Sequence, residues 1–221
     1  MNLIDVYLAP LKYFQSLKEK RQWIIPLIIL IMASVILTIV IITSVPLENR
    51  LAQLRERNLT PQQLEQAEKM LKGPVPFISG VIGTIILVPI TLLVVALVVN
   101  FILTLLGITG QYLLTFSVTV GAALVRLPGI LIRIIITVIT KNPLVETSFA
   151  LFTPFINKST FTYRLLSKLD FFTIWELLLL SFGLKTAYEL KDKKIYYLIF
   201  ILWLVYIILT SLIAPKGISR T

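Results

Sequence analysis

The chain of 221 residues is 57% hydrophobic and only 14% charged, with a mean hydropathy of +0.91. Soluble domains are about 45–50% apolar and about 25% charged, so the composition excludes a soluble globular domain and predicts an integral membrane protein. Without cysteine or histidine the chain has no thiol chemistry, and it lacks the commonest metal ligand and the usual general base, so we expect no cofactor. The net charge of +10 is expected to contact lipid headgroups and not nucleic acid.

The N-terminal segment, residues 1–22, is amphipathic and precedes the first predicted span. Pro10 can open a helix, because proline fits the first helical turn. The apolar positions recur at a helical spacing: Leu11, Phe14 and Leu17. This pattern predicts a helix lying at the level of the headgroups, with Trp23 at the interface. The first span is predicted over residues 23–45, with Pro26 tolerated in its opening turn.

The segment 47–76 is polar and predicts a short extramembrane helical hairpin. Thr60, Pro61 and Gln63 form a helix start, in which the Thr60 hydroxyl caps the helix and Gln63 closes a capping box. This helix is expected to stop at Gly73. We expect the hairpin to rest its apolar edge on the membrane face; a surface that docks a partner is the alternative.

No residue from Gly73 to Val125 carries a charge. A helix needs about 20 apolar residues to cross a bilayer, so this run is long enough for two spans. The residues Gly107 to Gly110, near the middle of this run, predict a turn. We therefore expect a second span over residues 77–106 and a third span after the turn.

The third span, residues 111–140, contains two arginines and is the least regular. A polar stripe follows one helical face: Arg126, Gly129, Arg133, Thr137 and Thr140. We expect one helix, kinked near Pro128, with this stripe turned towards the other spans. The alternative is a span that ends near Val125 and is followed by an interfacial helix.

Residues 141–169 form a polar loop, and two further spans follow over residues 171–190 and 195–214. The fold class is therefore all-α: one polytopic membrane domain, residues 1–221, with about five transmembrane helices. Lysines and arginines before the first span favour a cytoplasmic N-terminus, although both loops that would face outward also carry positive charge.

Four polar side chains are predicted to lie within the spans: Asn100, Arg126, Arg133 and Glu176. A charge in hydrocarbon costs at least about 2.5–3.5 kcal/mol, so each charged group needs a partner. At 1.5 Å per residue, Arg133 lies about 10 Å and Glu176 about 8 Å from the same membrane face, which predicts that they pair, with Arg126 as the alternative partner. Asn100 is expected to form an interhelical hydrogen bond and Lys185 to reach the interface.

Two stretches resemble a known family. Near the N-terminus, Pro10 and Phe14 precede Trp23 and Pro26 at the opening of the first span. The second stretch begins at the fourth span and reads Leu169-Asp170-Phe171-Phe172-Thr173-Ile174-Trp175, followed by Gly183 and Ala187. Their order and spacing resemble the bacterial branch of the Yip family, the Ypt/Rab-interacting-protein domain, over nearly the full length.

The resemblance implies an all-helical five-span fold with a cytoplasmic N-terminus and, for the bacterial branch, a plasma-membrane location. Eukaryotic relatives are partners of small GTPases. We do not expect that activity to transfer, because the long cytosolic N-terminal region of those relatives and their Asp-Leu-x-Gly-Pro motif have no counterpart here. Some bacterial members are associated with export machinery of the ABC-transporter type, which implies an accessory role.

Two functions remain open. The first is a non-catalytic adaptor or accessory subunit that binds lipids and another membrane protein, or itself as an oligomer. The second is a small oligomeric transporter or channel that uses Arg126 and Arg133 to recognise a polar or anionic substrate. We expect no catalysis, because the chain contains none of the common catalytic or phosphate-binding motifs.

Overall fold

A computed structural model describes residues 2–55, 60–142, 147–153, 155–156, 160–191 and 193–213. The fold of these residues is helical, as the composition predicts, and an isolated bridge joins Ser148 to Asp170. The predicted end of the fifth span at residue 214, the tail after it and the turn of the extramembrane hairpin lie outside the described residues.

Within the described residues, the helices of the first half of the chain are α1 Asp5–Leu8, α2 Pro10–Glu19, α3 Ile24–Ser44, α4 Leu47–Arg55, α5 Pro61–Lys72 and α6 Val75–Leu105. The second half contains α7 Tyr112–Ala123, α8 Arg126–Thr140, the 3-10 helix η1 Phe149–Phe152, α9 Phe161–Leu166, α10 Phe171–Ala187 and α11 Lys194–Ile213. The capping box predicted at Thr60 is confirmed: its hydroxyl accepts from the Gln63 N–H, and the Gln63 side chain accepts from the Thr60 N–H.

Four helical runs in the described part of the chain are long and apolar enough to cross a membrane: Ile24–Ser44, Val75–Leu105, Tyr112–Thr140 and Lys194–Leu212. The fourth predicted span is observed as α10, which has 17 residues and is about 25 Å long. Lys168, just before α10, donates to Thr210 near the end of α11 at 2.7 Å. The start of α10 therefore lies level with the last described turn of α11, and the count of five spans stays a prediction.

Helix α7 is the central helix of the bundle. Residues 114–123 are all buried, and α2, α3, α6 and α10 pack around them. Two of the buried hydroxyls bond to carbonyls of their own helix: Ser117 donates to Leu113 at 2.7 Å and Thr119 to Thr115 at 2.9 Å. Because small hydroxyl side chains satisfy themselves in this way, a helix that carries them can be enclosed on all sides.

The third predicted span is divided into α7 and α8 one turn before Pro128. Proline has no N–H and its ring clashes with the carbonyl four residues earlier, which here belongs to Leu124. That carbonyl instead accepts from the Leu127 N–H at 3.0 Å and from the Tyr7 hydroxyl at 2.5 Å. The N-terminal segment thus satisfies the backbone group that the proline leaves without its usual partner.

The N-terminal helix is present as predicted, but it lies along the bundle and not across its end. Tyr7 contacts Trp175 and the Leu124 carbonyl, whereas Lys18 pairs with Glu189 beyond the other end of α10. The contacts between the N-terminal segment and α10 thus extend over about 20 Å along the axis of α10. The apolar face of α2 is therefore buried against α7 and α10, whereas an interfacial helix would present it to lipid.

Candidate functional site

Helices α8 and α10 lie antiparallel and share two ion pairs along what we call the α8–α10 seam. Arg126 donates to Glu176 through two parallel hydrogen bonds, Nε to Oε2 at 2.5 Å and Nη2 to Oε1 at 2.6 Å. Such two-pronged contacts between a guanidinium and a carboxylate are stronger and more directional than a single bond. The second pair, Arg133 and Asp170, is looser, at 3.8 Å between Nη2 and Oδ2.

Thr147 joins the second pair to the loop before α10. Its hydroxyl accepts from Arg133 Nη2 at 3.1 Å and donates to Asp170 Oδ2. Asp170 is also the N-cap of α10, where its other oxygen accepts from the N–H groups of Phe172 and Thr173 at 2.9 and 3.2 Å. One buried carboxylate therefore caps a helix, holds the loop and neutralises an arginine.

A glycine and an aromatic ring separate the two pairs. A Cβ atom on Gly129 would lie 2.7 Å from Cδ2 of Phe172, so the ring rests directly on the glycine backbone. The seam is thus layered, with an ion pair, a ring on a glycine and a second ion pair.

The four charged groups of the seam differ in their exposure. The side chains of Glu176 and Asp170 are 13% and 10% exposed, whereas those of Arg126 and Arg133 are 39% and 43% exposed. Asp170 is buried and Glu176 is nearly so, whereas the two arginine side chains are partly exposed. On the same stripe of α8, Gly129 and Thr137 are buried and Thr140 is exposed, so the stripe faces the bundle as predicted except at its end.

The prediction that Arg133 pairs with Glu176 is wrong, because Glu176 pairs with Arg126 instead. The prediction assumed that α10 starts level with Thr140, at the end of α8. The structure places Asp170 beside Arg133, seven residues before Thr140, so α10 starts about 10 Å deeper than assumed. The loop before α10 is responsible, because Thr147 holds it at this level.

Asn100 belongs to a separate hydrogen-bond network at the other end of the bundle. Its Oδ1 accepts from the Thr115 hydroxyl at 3.1 Å, and Thr115 in turn lies 2.7 Å from the Tyr188 hydroxyl. The Gln111 backbone bonds to the same Tyr188 hydroxyl, and its side chain accepts from Arg21 at 2.5 Å. This network ties the α6–α7 turn to the ends of α2 and α10, as expected for an interhelical polar group.

An ion pair and a cavity lie beside this network. Lys18 donates to Glu189, two residues after the end of α10, and the hydrogen bond and positive charge of Lys18 lower the pKa of Glu189 below its ordinary value. The cavity has a volume of about 340 Å³. Its lining is mixed, with Lys18, Gln111, Leu114, Tyr188 and Glu189 among the residues that contribute. Within the part of the chain that the structure describes, no cluster of three or more acidic side chains could hold a metal ion.

The positions that carry the family resemblance lie mainly at helix contacts. Pro10 is the first residue of α2, and Phe14 is fully buried. A Cβ atom on Gly183 would lie 2.6 Å from the Phe14 ring. Pro26 is buried near the start of α3, and Trp23 packs edge-on against Phe116 at 5.3 Å.

Sequence reasoning missed Asp170 as the partner of Arg133. The signal is present in the spacing: six residues separate Asp170 from Glu176, and seven separate Arg126 from Arg133. Nearly equal spacings on two antiparallel helices allow both pairs to form at once. It also missed the role of Tyr7, whose partner carbonyl becomes available only through the kink at Pro128.

A protein-family model described as the Yip1 domain matches residues 4–213, nearly the whole chain. No curated protein and no solved structure matches the chain significantly.

Proposed function

Because the chain belongs to the Yip1 domain family and is an integral membrane protein, we propose that it is a non-catalytic adaptor or accessory subunit of a membrane complex such as an export system. We place it in a bacterial plasma membrane as a single multi-pass domain with its N-terminus in the cytoplasm. Its partners in this proposal are lipids and one further membrane protein, or a second copy of itself. GTPase binding is not part of the proposal.

The observation that carries the proposal is the partial exposure of two arginine side chains, 39% at Arg126 and 43% at Arg133, within a helical run long and apolar enough to cross a membrane. Arg133 lies about 10 Å and Arg126 about 20 Å from the end of α8. A charged group that faces hydrocarbon costs at least about 2.5–3.5 kcal/mol, and pairing with a carboxylate covers only the inner side of each arginine. A neighbouring helix that supplies hydrogen-bond acceptors to the outer side would remove this cost.

The transporter remains the second candidate, because arginines near the middle of a membrane can bind anions. The charges of the seam favour the adaptor. Arg126 and Arg133 are matched by Glu176 and Asp170, so the four groups have no net charge. An anion-binding site needs positive charge that is not already neutralised.

Site-specific cross-linking tests the adaptor. The chain has no cysteine, so single-cysteine variants can carry a photoreactive group at one position. Ile132 is exposed and adjacent to Arg133, whereas Leu97 is exposed on α6, away from the seam. We expect Ile132→Cys, in intact membranes, to cross-link one protein in stoichiometric amount, and Leu97→Cys to cross-link none.

A second variant connects the cross-link to the arginine. Arg133→Leu should greatly reduce the cross-link. Arg133→Lys should restore it only in part, because lysine keeps the charge but lacks the planar guanidinium group that can donate two parallel hydrogen bonds. Equal labelling at Ile132 and Leu97 would contradict the adaptor. Flux of a solute into liposomes that contain only this protein, abolished by the Arg133 and Arg126 substitutions, would support the transporter instead.

A further inference from the structure

The loop between α8 and α10 carries large apolar side chains on its surface. Residues 147–153 and 155–156 of this loop contain no charged residue. Phe152 is 73% exposed and Phe155 is 83% exposed, and Phe149 and Leu151 are exposed as well. We name these described residues the aromatic loop. Four exposed apolar side chains within seven positions are unusual for a segment that faces water.

The aromatic loop is bound to the bundle at membrane depth. Its first residue, Thr147, contacts Arg133 and Asp170, about 10 Å below the end of α8. Ser148 bridges to Asp170, and the Phe149 N–H donates to the Leu169 carbonyl at 2.9 Å. The loop therefore starts level with Arg133 and not beyond the end of α8.

The segment that follows the aromatic loop is attached at a similar depth. Helix α9 packs on α11, and Lys168 donates to Thr210 and lies 5.7 Å from the ring centre of Tyr206. Thr210 is three residues before the last described residue of α11, about 5 Å from that end. Both attachments thus lie along the helices: Thr147 is about 10 Å from the end of α8, and Thr210 is about 5 Å from the last described residue of α11. Amphipathic segments insert to a depth of about 5–10 Å.

We propose that the aromatic loop is a membrane anchor whose Phe152 and Phe155 side chains insert into the lipid leaflet on the side where α8 ends. Lipid fits this surface better than a soluble protein does, because the loop is attached inside the end of α8 and residues 147–153 and 155–156 carry no charge. Phe171, at the start of α10, is exposed as well. Aromatic side chains are the residues that membrane interfaces favour.

The geometry gives the anchor a second consequence. Thr147 bonds to both members of the Arg133–Asp170 pair, so the inserted loop is connected directly to one end of the seam. Insertion of Phe152 and Phe155 would therefore hold that end of the seam at a fixed depth in the leaflet. This proposal does not depend on the adaptor function.

Spin labels on single-cysteine variants test the anchor. Phe152→Cys and Phe155→Cys are labelled with a nitroxide and reconstituted in liposomes of phosphatidylcholine and phosphatidylglycerol. Collision rates with oxygen, which is concentrated in lipid, and with a water-soluble nickel chelate are then compared. Leu97→Cys, exposed on the apolar surface of α6, is the lipid reference, and Gln66→Cys, exposed on the polar helix α5, is the water reference.

We expect the ratio of oxygen to nickel accessibility at Phe152 and Phe155 to be several-fold higher than at Gln66 and closer to that at Leu97. Nickel accessibility equal to that of Gln66 at both positions would overturn the proposal and leave the loop free for a soluble partner. Because both side chains are exposed, the labels leave the packing of the bundle intact, and the Phe155 label, at the more exposed position, checks the Phe152 result.

Discussion

The contact between Phe14 and Gly183 holds the N-terminal helix in the bundle and can be tested with one methyl group. A Cβ atom on Gly183 would lie 2.6 and 2.7 Å from two carbons of the Phe14 ring and 2.8 Å from Cγ1 of Val118. Phe14 and Val118 are fully buried, so neither can move into free space. Overpacking of this kind costs about 1–3 kcal/mol. Alanine also gains about 0.5–1 kcal/mol over glycine inside a helix, so we expect Gly183→Ala to lower the free energy of unfolding by the remainder.

Gly83→Ala is the matched control, because nothing lies within 4 Å of its Cβ position. Alanine is favoured over glycine inside a helix by about 0.5–1 kcal/mol, so this variant should be slightly stabilised. The same gain applies to Gly183→Ala, because Gly183 also lies inside a helix, so the two variants should differ by the overpacking cost alone, about 1–3 kcal/mol. Thermal unfolding of the purified protein in mild detergent measures the difference, and faster trypsin cleavage after Lys20 in Gly183→Ala reports release of α2.

A second substitution distinguishes a local clash from a general effect on the helix. Phe14→Leu removes the edge of the ring that meets the new methyl group, so the cost of Gly183→Ala should shrink in the double variant, with a coupling of about 0.5–3 kcal/mol. If Gly183→Ala were as stable as Gly83→Ala, or if its cost were the same with and without the Phe14→Leu substitution, the proposed packing of α2 against α10 would be refuted.

Three further predictions concern the ion pairs. Arg126→Ala and Glu176→Ala should each destabilise the protein, and the double variant should lose less than the sum, with a coupling of about 0.5–3 kcal/mol in thermal unfolding; strictly additive losses would contradict the pair. Asp170→Ala should cost about 1 kcal/mol more than Asp170→Asn, because asparagine keeps the helix cap; equal losses would mean that the cap is unimportant. The folded-state pKa of Glu189 is lowered by Lys18, so the stability that this pair contributes is present above the unfolded pKa of about 4.3 and is lost as pH falls through the lower folded pKa. Lys18→Gln should remove that acid-dependent loss of stability. Trypsin cleavage of the N-terminal segment between pH 3 and 6, in a rapid-neutralisation assay, measures it. An unchanged pH profile would argue against the pair.

Helix positions were predictable because their signals are local. The capping box at Thr60 and Gln63 involves neighbouring residues, and the apolar runs are long enough to identify spans by length alone. The kink near Pro128 is also a local consequence of a missing N–H and a ring clash. In each case the chain within a few residues contains all the atoms that determine the outcome.

The pairing of charges was not predictable in the same way. The sequence indicated that Arg126, Arg133 and Glu176 need partners, but their relative depth depends on where α10 begins. That depth is determined by Thr147 and Asp170, which meet across 23 positions of the chain. An error of about 10 Å in the predicted depth of the start of α10 was enough to assign Glu176 to Arg133 instead of Arg126.

Residue composition and order were sufficient to identify a helical membrane protein, because the solvent that each residue prefers is a property of the residue alone. The order of the short motifs was likewise sufficient to identify the family. Three features required the folded arrangement of the helices: α2 packs along α10, Tyr7 donates to the Leu124 carbonyl, and the arginine side chains of the seam stay partly exposed. Those features depend on distances between helices, which no local pattern of residues contains.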